Sequence, residues 1–91
     1  MARIGRDVRV TGQVQGVFFR QWTCERAREL GVTGWVRNCA DGSVEAHLSG
    51  ENEAVGRLIE RMRRGPPAAQ VADVSVDEAA PENSDRFEVR R

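Results

Sequence analysis

The sequence predicts an α+β sandwich in which two helices cover one face of an antiparallel sheet. Two segments with helical spacing of apolar residues lie between segments in which apolar and polar residues alternate, which gives the order βαββαβ. The turn signal Asp41-Gly42 separates the two middle strands and indicates that they form a hairpin. The length of 91 residues fits one domain, residues 1–91, with a core of moderate size.

The first half of the chain contains a strand, a glycine motif and a helix. The alternation around Val8–Val10 is typical of a strand with one buried face. After the glycine motif, Gly12 to Arg20 with the sequence GQVQGVFFR, apolar spacing predicts a helix from about Gln21 to Leu30 that ends at Gly31. The residues of this helix expected to face the core are Trp22, Ala27 and Leu30.

The second half contains three strands and a second helix. Strands are predicted at Trp35–Asn38, Ser43–Ser49 and Val71–Val76, and Arg86–Arg90 is a candidate for a short extra C-terminal strand. A helix is predicted from about Asn52 to Arg64, with charges at both ends that complement its dipole. Its apolar stripe consists of Val55, Leu58, Ile59 and Met62. Glycines are expected to end the third strand and the second helix, at Gly50 and Gly65.

Hairpin pairing combined with two crossover helices predicts the split-βαβ, ferredoxin-like fold. Because both helices cover one face of the sheet, the other face is expected to contact solvent. The polar residues that alternate along the strands agree with this expectation. His47 lies on the helix-free face and is expected to be exposed and not catalytic.

Composition restricts the classes of function. Apolar residues make up 40% and charged residues 31% of the chain, which is typical of a globular protein. The 14 basic residues are all arginine and balance 14 acidic residues, so no overall field attracts nucleic acid or an anionic membrane. Neither is therefore expected as a partner. The lack of lysine excludes Schiff-base and P-loop chemistry.

The cysteines and the N-terminus indicate the cytoplasm. Cys24 and Cys39 do not have the spacing of metal ligands, and the chain has one histidine, so no metal or cofactor is expected. Free thiols are favoured over a disulfide, which indicates a reducing compartment. The stretch from Met1 to Asp7 has no signal-peptide core, and no apolar run approaches the ~20 residues that a membrane span needs.

The glycine motif carries the strongest functional signal. A glycine-rich loop that leads from a strand into a helix can direct several backbone N–H groups, and the positive end of the helix dipole, at one anion. Arg20 lies at the start of the helix, where a cation is locally unfavourable, and this violation of a local rule favours a functional role. Taken alone, glycines that serve backbone turns and an arginine that is merely solvated remain alternatives.

Together with Gly34-Trp35-Val36-Arg37-Asn38 and Asp41-Gly42-Ser43-Val44-Glu45, the glycine motif resembles the acylphosphatase family over nearly the whole chain. The resemblance implies hydrolysis of the carboxyl–phosphate bond of small acyl phosphates to a carboxylate and inorganic phosphate, without a metal. It implies that Arg20 binds the phosphate and that Asn38 orients the attacking water. It also implies that backbone N–H groups of the following residues, here named the glycine loop, bind the phosphate: Gln15, Gly16, Val17, Phe18 and Phe19.

The chemistry of an acyl phosphate is compatible with these residues. A carboxylate is a weak base and leaves without an acid catalyst, and a phosphate oxygen of the substrate can accept the proton of the attacking water. Positioning and charge stabilisation by a guanidinium, backbone donors and one amide can therefore suffice. Phe18 is the one candidate contact for the acyl group, so several small acyl phosphates are expected as substrates. Inorganic phosphate is expected as a product inhibitor, and the chain is expected to be a monomer.

Three alternatives remain at this point. A nucleic-acid-binding module would need exposed aromatic residues on its central strands, and Val8–Val10 and Val44–Leu48 contain none. A non-catalytic anion-binding domain would not require both Arg20 and Asn38. A related domain also occurs within a larger carbamoyl-transferring maturation protein, although ends at Met1 and Arg91 favour a stand-alone enzyme.

Overall fold

The computed structural model describes residues 3–91, and the N-terminal Met1 and Ala2, part of the stretch expected to lack a signal peptide, lie outside them. The strands are β1 (Arg3–Gln13), β2 (Thr33–Asn38), β3 (Val44–Glu51), β4 (Gln70–Ala79) and β5 (Phe87–Arg90). The helices are α1 (Phe19–Leu30) and α2 (Asn52–Arg64). The strands form one sheet in the order β4-β1-β3-β2-β5, with both helices packed on it. The predicted α+β, ferredoxin-like architecture is thereby confirmed.

The expectation of a purely antiparallel sheet is wrong at one edge. β5 pairs with β2 in parallel, with Val89 opposite Val36, whereas the other three strand pairings are antiparallel. The inner edge of β2 is already occupied by β3, so the last strand can add only at the outer edge. The chain reverses after β4 and passes Ser49, whose Oγ accepts a hydrogen bond of 2.9 Å from the Glu82 N–H. It therefore enters the edge of the sheet in the same direction as β2.

Helix α2 has the predicted bounds and buries the predicted stripe, Val55, Leu58, Ile59 and Met62. Gly65 ends it with φ 72°, and the Gly65 N–H donates to the Arg61 carbonyl over 2.9 Å. The stripe packs on β1, β3 and β4, where alternate residues such as Val8, Ala46 and Leu48 are buried. Burial of each large apolar side chain contributes roughly 1.5–3 kcal/mol, so this layer is a main source of stability.

Helix α1 starts two residues before the predicted start, at Phe19. The Phe19 side chain occupies the core position nearest the start of the helix, and Trp22 packs beside it as a half-buried residue with a ring distance of 5.8 Å. Ala27 is buried as predicted, whereas Leu30 is half-buried. Two polar or polarisable side chains that were not expected in the core, Thr23 and Cys24, are buried as well.

Strand bounds also differ from the predictions. β1 and β4 extend beyond the predicted cores, and Gly50 lies inside β3 and does not end it, since Glu51 is the last residue of this strand. Gly50 has an extended backbone with φ 157° and pairs with Ile4 of β1. Gly50 is therefore an internal residue of β3 and not its end.

The expected exposure of His47 is wrong, because part of the helix-free face is covered. The two ring nitrogens of His47 lie 2.8 Å from Asp7 Oδ1 and 2.8 Å from Ser49 Oγ, and the Trp35 ring stacks on the imidazole. The segment after β4 crosses the same region at Glu82. His47 is therefore a buried, hydrogen-bonded part of the fold.

None of the helices in residues 3–91 is both long and apolar enough to span a membrane.

Candidate active site

A cleft of about 320 Å³ lies beside the start of α1, the end of β2 and the strand β5. Its position follows from the topology of the sheet. β1 and β2 both flank β3 and run in the same direction, and Val44 of β3 lies opposite both Val10 of β1 and Asn38 of β2. The two strands therefore end at the same edge, so the glycine loop after β1 and Asn38 at the end of β2 come together. The residues that line the cleft are Val14, Gly16, Phe18, Phe19, Arg20, Gln21, Asn38 and Val89.

Five of the seven predicted site residues line this cleft, and two do not. Gly16, Phe18 and Phe19 of the glycine loop are present, together with Arg20 and Asn38. Val17 packs against the hydrophobic core instead, and the side chain of Gln15 points towards the β2–β3 turn. The expected contribution of Gln15 and Val17 was through their backbone, and their side-chain positions do not bear on it.

The glycine loop changes direction through two residues in the left-handed region, Gly16 with φ 75° and Phe18 with φ 62°. The Phe18 carbonyl accepts the first hydrogen bond of α1, from the Trp22 N–H over 2.9 Å. Within the described part of the chain, the backbone N–H groups of residues 15–18 donate no hydrogen bond. N–H groups of this kind at the start of a helix form an anion-binding site.

Arg20 is a half-buried residue that lines the cleft. Its Nη1 donates to the carbonyl oxygen of Arg90 in β5 over 3.1 Å, which orients the side chain. None of the ion pairs recorded for residues 3–91 includes Arg20. Because a guanidinium has five N–H donors, most of them remain available for an anion in the cleft.

Asn38 faces the same cleft with an unpartnered amide. Its Oδ1 is buried and accepts no hydrogen bond from any residue of the described range. Leaving a buried polar group without a partner costs roughly 1–3 kcal/mol, so such a group in a folded protein calls for an explanation. Within residues 3–91, the amide oxygen of Asn38 is therefore not engaged by another group of the protein.

The side chain of Gln15 joins the glycine loop to the turn that follows Asn38, a role that the sequence did not indicate. Its Nε2 donates to the carbonyl oxygens of Cys39 and Ser43 over 2.8 and 2.9 Å. The same turn is closed by a hydrogen bond of 2.8 Å from the Cys39 N–H to the Ser43 carbonyl. The two halves of the cleft are therefore held in a fixed relation. The partners of Gln15 are distant in sequence, so no local pattern could have revealed the contact.

Asp41 stiffens this turn further. The Ser43 hydroxyl and the Ser43 N–H donate to its carboxylate over 2.6 and 2.9 Å, and Arg9 lies at 3.1 Å. The hydroxyl donor first, then the backbone donor, and then the Arg9 charge lower the pKa of Asp41 below its ordinary value. The carboxylate is charged at neutral pH, and it lies in the turn outside the cleft.

Val89 and Arg90 of β5 are further site residues that sequence reasoning missed. Val89 lines the cleft, and the Arg90 carbonyl orients Arg20. Alternation of Phe87 and Val89 indicates that they share a face of the strand. The parallel pairing, with Val89 opposite Val36 and Arg90 opposite Arg37, is needed to bring the end of β5 near the end of β2. Among residues 3–91 no three side chains of histidine, cysteine, aspartate or glutamate are grouped as metal ligands.

Comparison with known proteins identifies similar chains. The acylphosphatase family model matches residues 6–89, a range that includes the whole cleft. An acylphosphatase of Rhizobium etli is 54% identical over 79 residues, which cover 87% of this chain and 84% of the relative. An acylphosphatase of Haloquadratum walsbyi is 54% identical over 89 residues, covering 98% and 96%. The solved structure of an acylphosphatase from Coxiella burnetii has a TM-score of 0.93 at 41% identity, covering 97% of this chain and 93% of that one.

Proposed function

The chain belongs to the acylphosphatase family of enzymes, and on that premise we propose how its cleft cleaves the carboxyl–phosphate bond of small acyl phosphates. Arg20 and the backbone N–H groups of the glycine loop bind the phosphoryl group, and Asn38 orients the attacking water. No metal takes part. The observation that carries this proposal is that Arg20 and the unpartnered Asn38 amide, on different elements, line one cleft.

Phosphate binding uses the donors that have no other partner. The guanidinium can offer paired N–H groups in the fork geometry that suits phosphate oxygens, while its contact with the Arg90 carbonyl limits its motion. The N–H groups of residues 15–18 and the positive end of the α1 dipole add further donors. Charge on the phosphoryl oxygens is thus stabilised by groups fixed before the reaction, each typically worth roughly 10²–10³ in rate.

The Asn38 amide is proposed to hold the attacking water. The water oxygen forms the new bond to phosphorus as the bond to the carboxylate oxygen breaks, and a phosphoryl oxygen accepts the water proton. The carboxylate leaves as a stable anion, so no acid is needed to protonate it. The side chains that line the cleft include no carboxylate and no imidazole, which agrees with a reaction that needs no acid or base from the protein.

Three further properties belong to the proposal. Inorganic phosphate offers the same oxygens as the bound phosphoryl group, so it should compete with the substrate. We also propose that residues 1–91 act as one domain and as a monomer, and that the enzyme works in the cytoplasm, on the composition and thiol arguments above. Sedimentation at assay concentration tests the oligomeric state.

The experiment that tests the reaction class is a phosphate-release assay with acetyl phosphate, benzoyl phosphate and p-nitrophenyl phosphate, each with and without excess chelator. We expect each acyl phosphate to be cleaved at the same rate with chelator as without it. Cleavage of the monoester should be negligible, because its leaving group is more basic. Loss of activity with chelator and recovery with one divalent cation would contradict metal independence. A faster rate on the monoester than on both acyl phosphates would contradict the reaction class.

A further inference from the structure

The cleft has large apolar side chains that are exposed to solvent. Among residues 3–91, the large hydrophobic side chains that remain exposed are Phe18, at 82%, and Val89, at 39%. Both line the cleft that contains Arg20 and Asn38. Single exposed apolar residues scattered over a surface need no explanation. Two of them that line one cleft, Phe18 from the glycine loop and Val89 from β5, are here named the apolar rim.

The backbone of Phe18 is held in a conformation that does not suit it. Phe18 is the one residue other than glycine in the described chain with a positive φ, at φ 62° and ψ 23°. Glycine adopts this left-handed conformation without cost, whereas a side chain with a Cβ does not. The exposed ring contributes little to the core, and Phe18 makes no side-chain cap to α1. Backbone strain that brings no gain in stability points to a function of the side chain.

The position of this rim relative to the phosphate donors identifies its occupant. The acyl group is covalently bonded to the phosphoryl group, so it must extend from Arg20 and the glycine loop towards the mouth of the cleft. A cavity of about 150 Å³ accommodates benzene in another protein. A cleft of about 320 Å³ therefore has room for a phosphoryl group and several carbon atoms. Besides Arg20, the cleft has no charged lining residue that would favour a charged acyl group.

We propose that Phe18 and Val89 form an acyl subsite that makes longer apolar acyl phosphates better substrates than acetyl phosphate. This inference rests on the proposed function, because it places the phosphoryl group at Arg20. A fully buried methylene contributes about 0.8 kcal/mol, close to a factor of four. On a rim that remains half open to solvent we expect about a factor of two for each methylene, or roughly 16-fold for the four methylenes that separate acetyl from hexanoyl phosphate.

The test is the dependence of kcat/KM on chain length for acetyl, butyryl and hexanoyl phosphate. Their carboxylates have nearly equal basicity, so the leaving group stays constant while the apolar area grows. We expect Phe18→Ala to remove most of the roughly 16-fold gain, Phe18→Leu to retain most of it, and the near-isosteric Val89→Thr to reduce it. Gln21→Ala, which changes a polar residue that lines the same cleft, should leave the chain-length gain unchanged. Inhibition by inorganic phosphate should change much less than the chain-length gain in Phe18→Ala, because the substitution keeps the backbone N–H at position 18 and phosphate has no acyl group.

Each other result has a distinct meaning. Equal chain-length dependence in the wild type and in folded Phe18→Ala would overturn the subsite and leave the proposed function intact. Weaker phosphate inhibition in Phe18→Ala would assign Phe18 to the shape of the phosphate-binding loop and would also overturn the subsite. A wild-type dimer that Phe18→Ala converts to a monomer would assign the apolar rim to a contact between copies. Failure of the wild type to cleave any acyl phosphate would overturn the proposed function and the subsite together.

Discussion

The start of α1 and the whole of α2 follow local stability rules to very different degrees. α2 has Glu53 in its first turn, arginines in its last turn, a buried apolar stripe and a glycine cap. The first turn of α1 has no acidic residue and contains Arg20, and its N-cap residue Phe18 is in the left-handed region without a side-chain cap. The structure thus places its unfavourable local features beside the cleft, next to the unpartnered Asn38 amide. The regular helix α2 supplies stability, whereas the glycine loop and the start of α1 offer unused hydrogen-bond donors to a ligand.

The largest expected effect comes from the arginine that breaks the helix rule. Arg20→Ala should lower kcat/KM for acetyl phosphate by at least about 10³-fold and weaken inhibition by inorganic phosphate, because it removes the one cationic side chain of the cleft. Arg20→Lys should recover little, since a single ammonium does not reproduce the planar fork. The matched control is Arg57→Ala on α2, which removes an exposed pair with Glu53 and should leave kcat/KM unchanged. Near-normal turnover by folded Arg20→Ala would remove the assigned role.

A substitution in the buried stripe of α2 should have the opposite effect, a loss of stability with little change in activity. Leu58 is fully buried in the stripe of α2, so Leu58→Ala should reduce the free energy of unfolding by about 2–4 kcal/mol. The kcat/KM of the folded enzyme should stay within about twofold of the wild type, since Leu58 does not line the cleft. Urea unfolding and activity below the transition measure the two quantities. A large loss of activity with full folding would show that α2 shapes the cleft.

Asn38→Ala should separate activity from stability. We expect kcat to fall by roughly 10²-fold with little change in KM, because an amide that orients water acts mainly in the transition state. The free energy of unfolding should stay the same or rise slightly, since the substitution removes a buried oxygen that has no partner. Steady-state kinetics and thermal unfolding check both parts. A raised KM at unchanged kcat would make Asn38 a binding residue instead.

The accuracy of the sequence-based predictions also differs between α2 and the start of α1. The bounds of α2 and the burial of its stripe were predicted correctly, because periodicity, charge and the Gly65 stop agree there. The start of α1 was misplaced because the strain at Phe18 leaves no sequence signal of a cap. Arg20 was singled out by its position at the helix start and by the family resemblance, and Asn38 by the resemblance alone; both line the cleft. The contacts of Gln15, Val89 and His47 depend on strand pairing and on the chain after β4, which local patterns do not encode.

The smallest expected effect concerns the turn that follows Asn38. The pKa of Asp41 is lowered, so its charged form stabilises the fold at pH values above its ordinary pKa, and this contribution is lost as the pH falls through the lowered value. Asp41→Asn keeps an acceptor for Ser43 but removes the charge. Its Tm should therefore lie slightly below that of the wild type at neutral pH and converge with it in acid. Thermal unfolding across this range measures the difference, and a gap that widens in acid would contradict the assignment.

The central claim is that the glycine loop and Arg20, and not the arginine-rich helix α2, hold the phosphoryl group. An NMR titration of the ¹⁵N-labelled protein with inorganic phosphate tests this claim most directly. We predict saturable shifts confined to the backbone amides of the glycine loop, the Arg20 side chain and the Asn38 amide, with Arg57, Arg61 and Arg64 of α2 unaffected. Saturable shifts on α2 without shifts in the glycine loop would contradict the account.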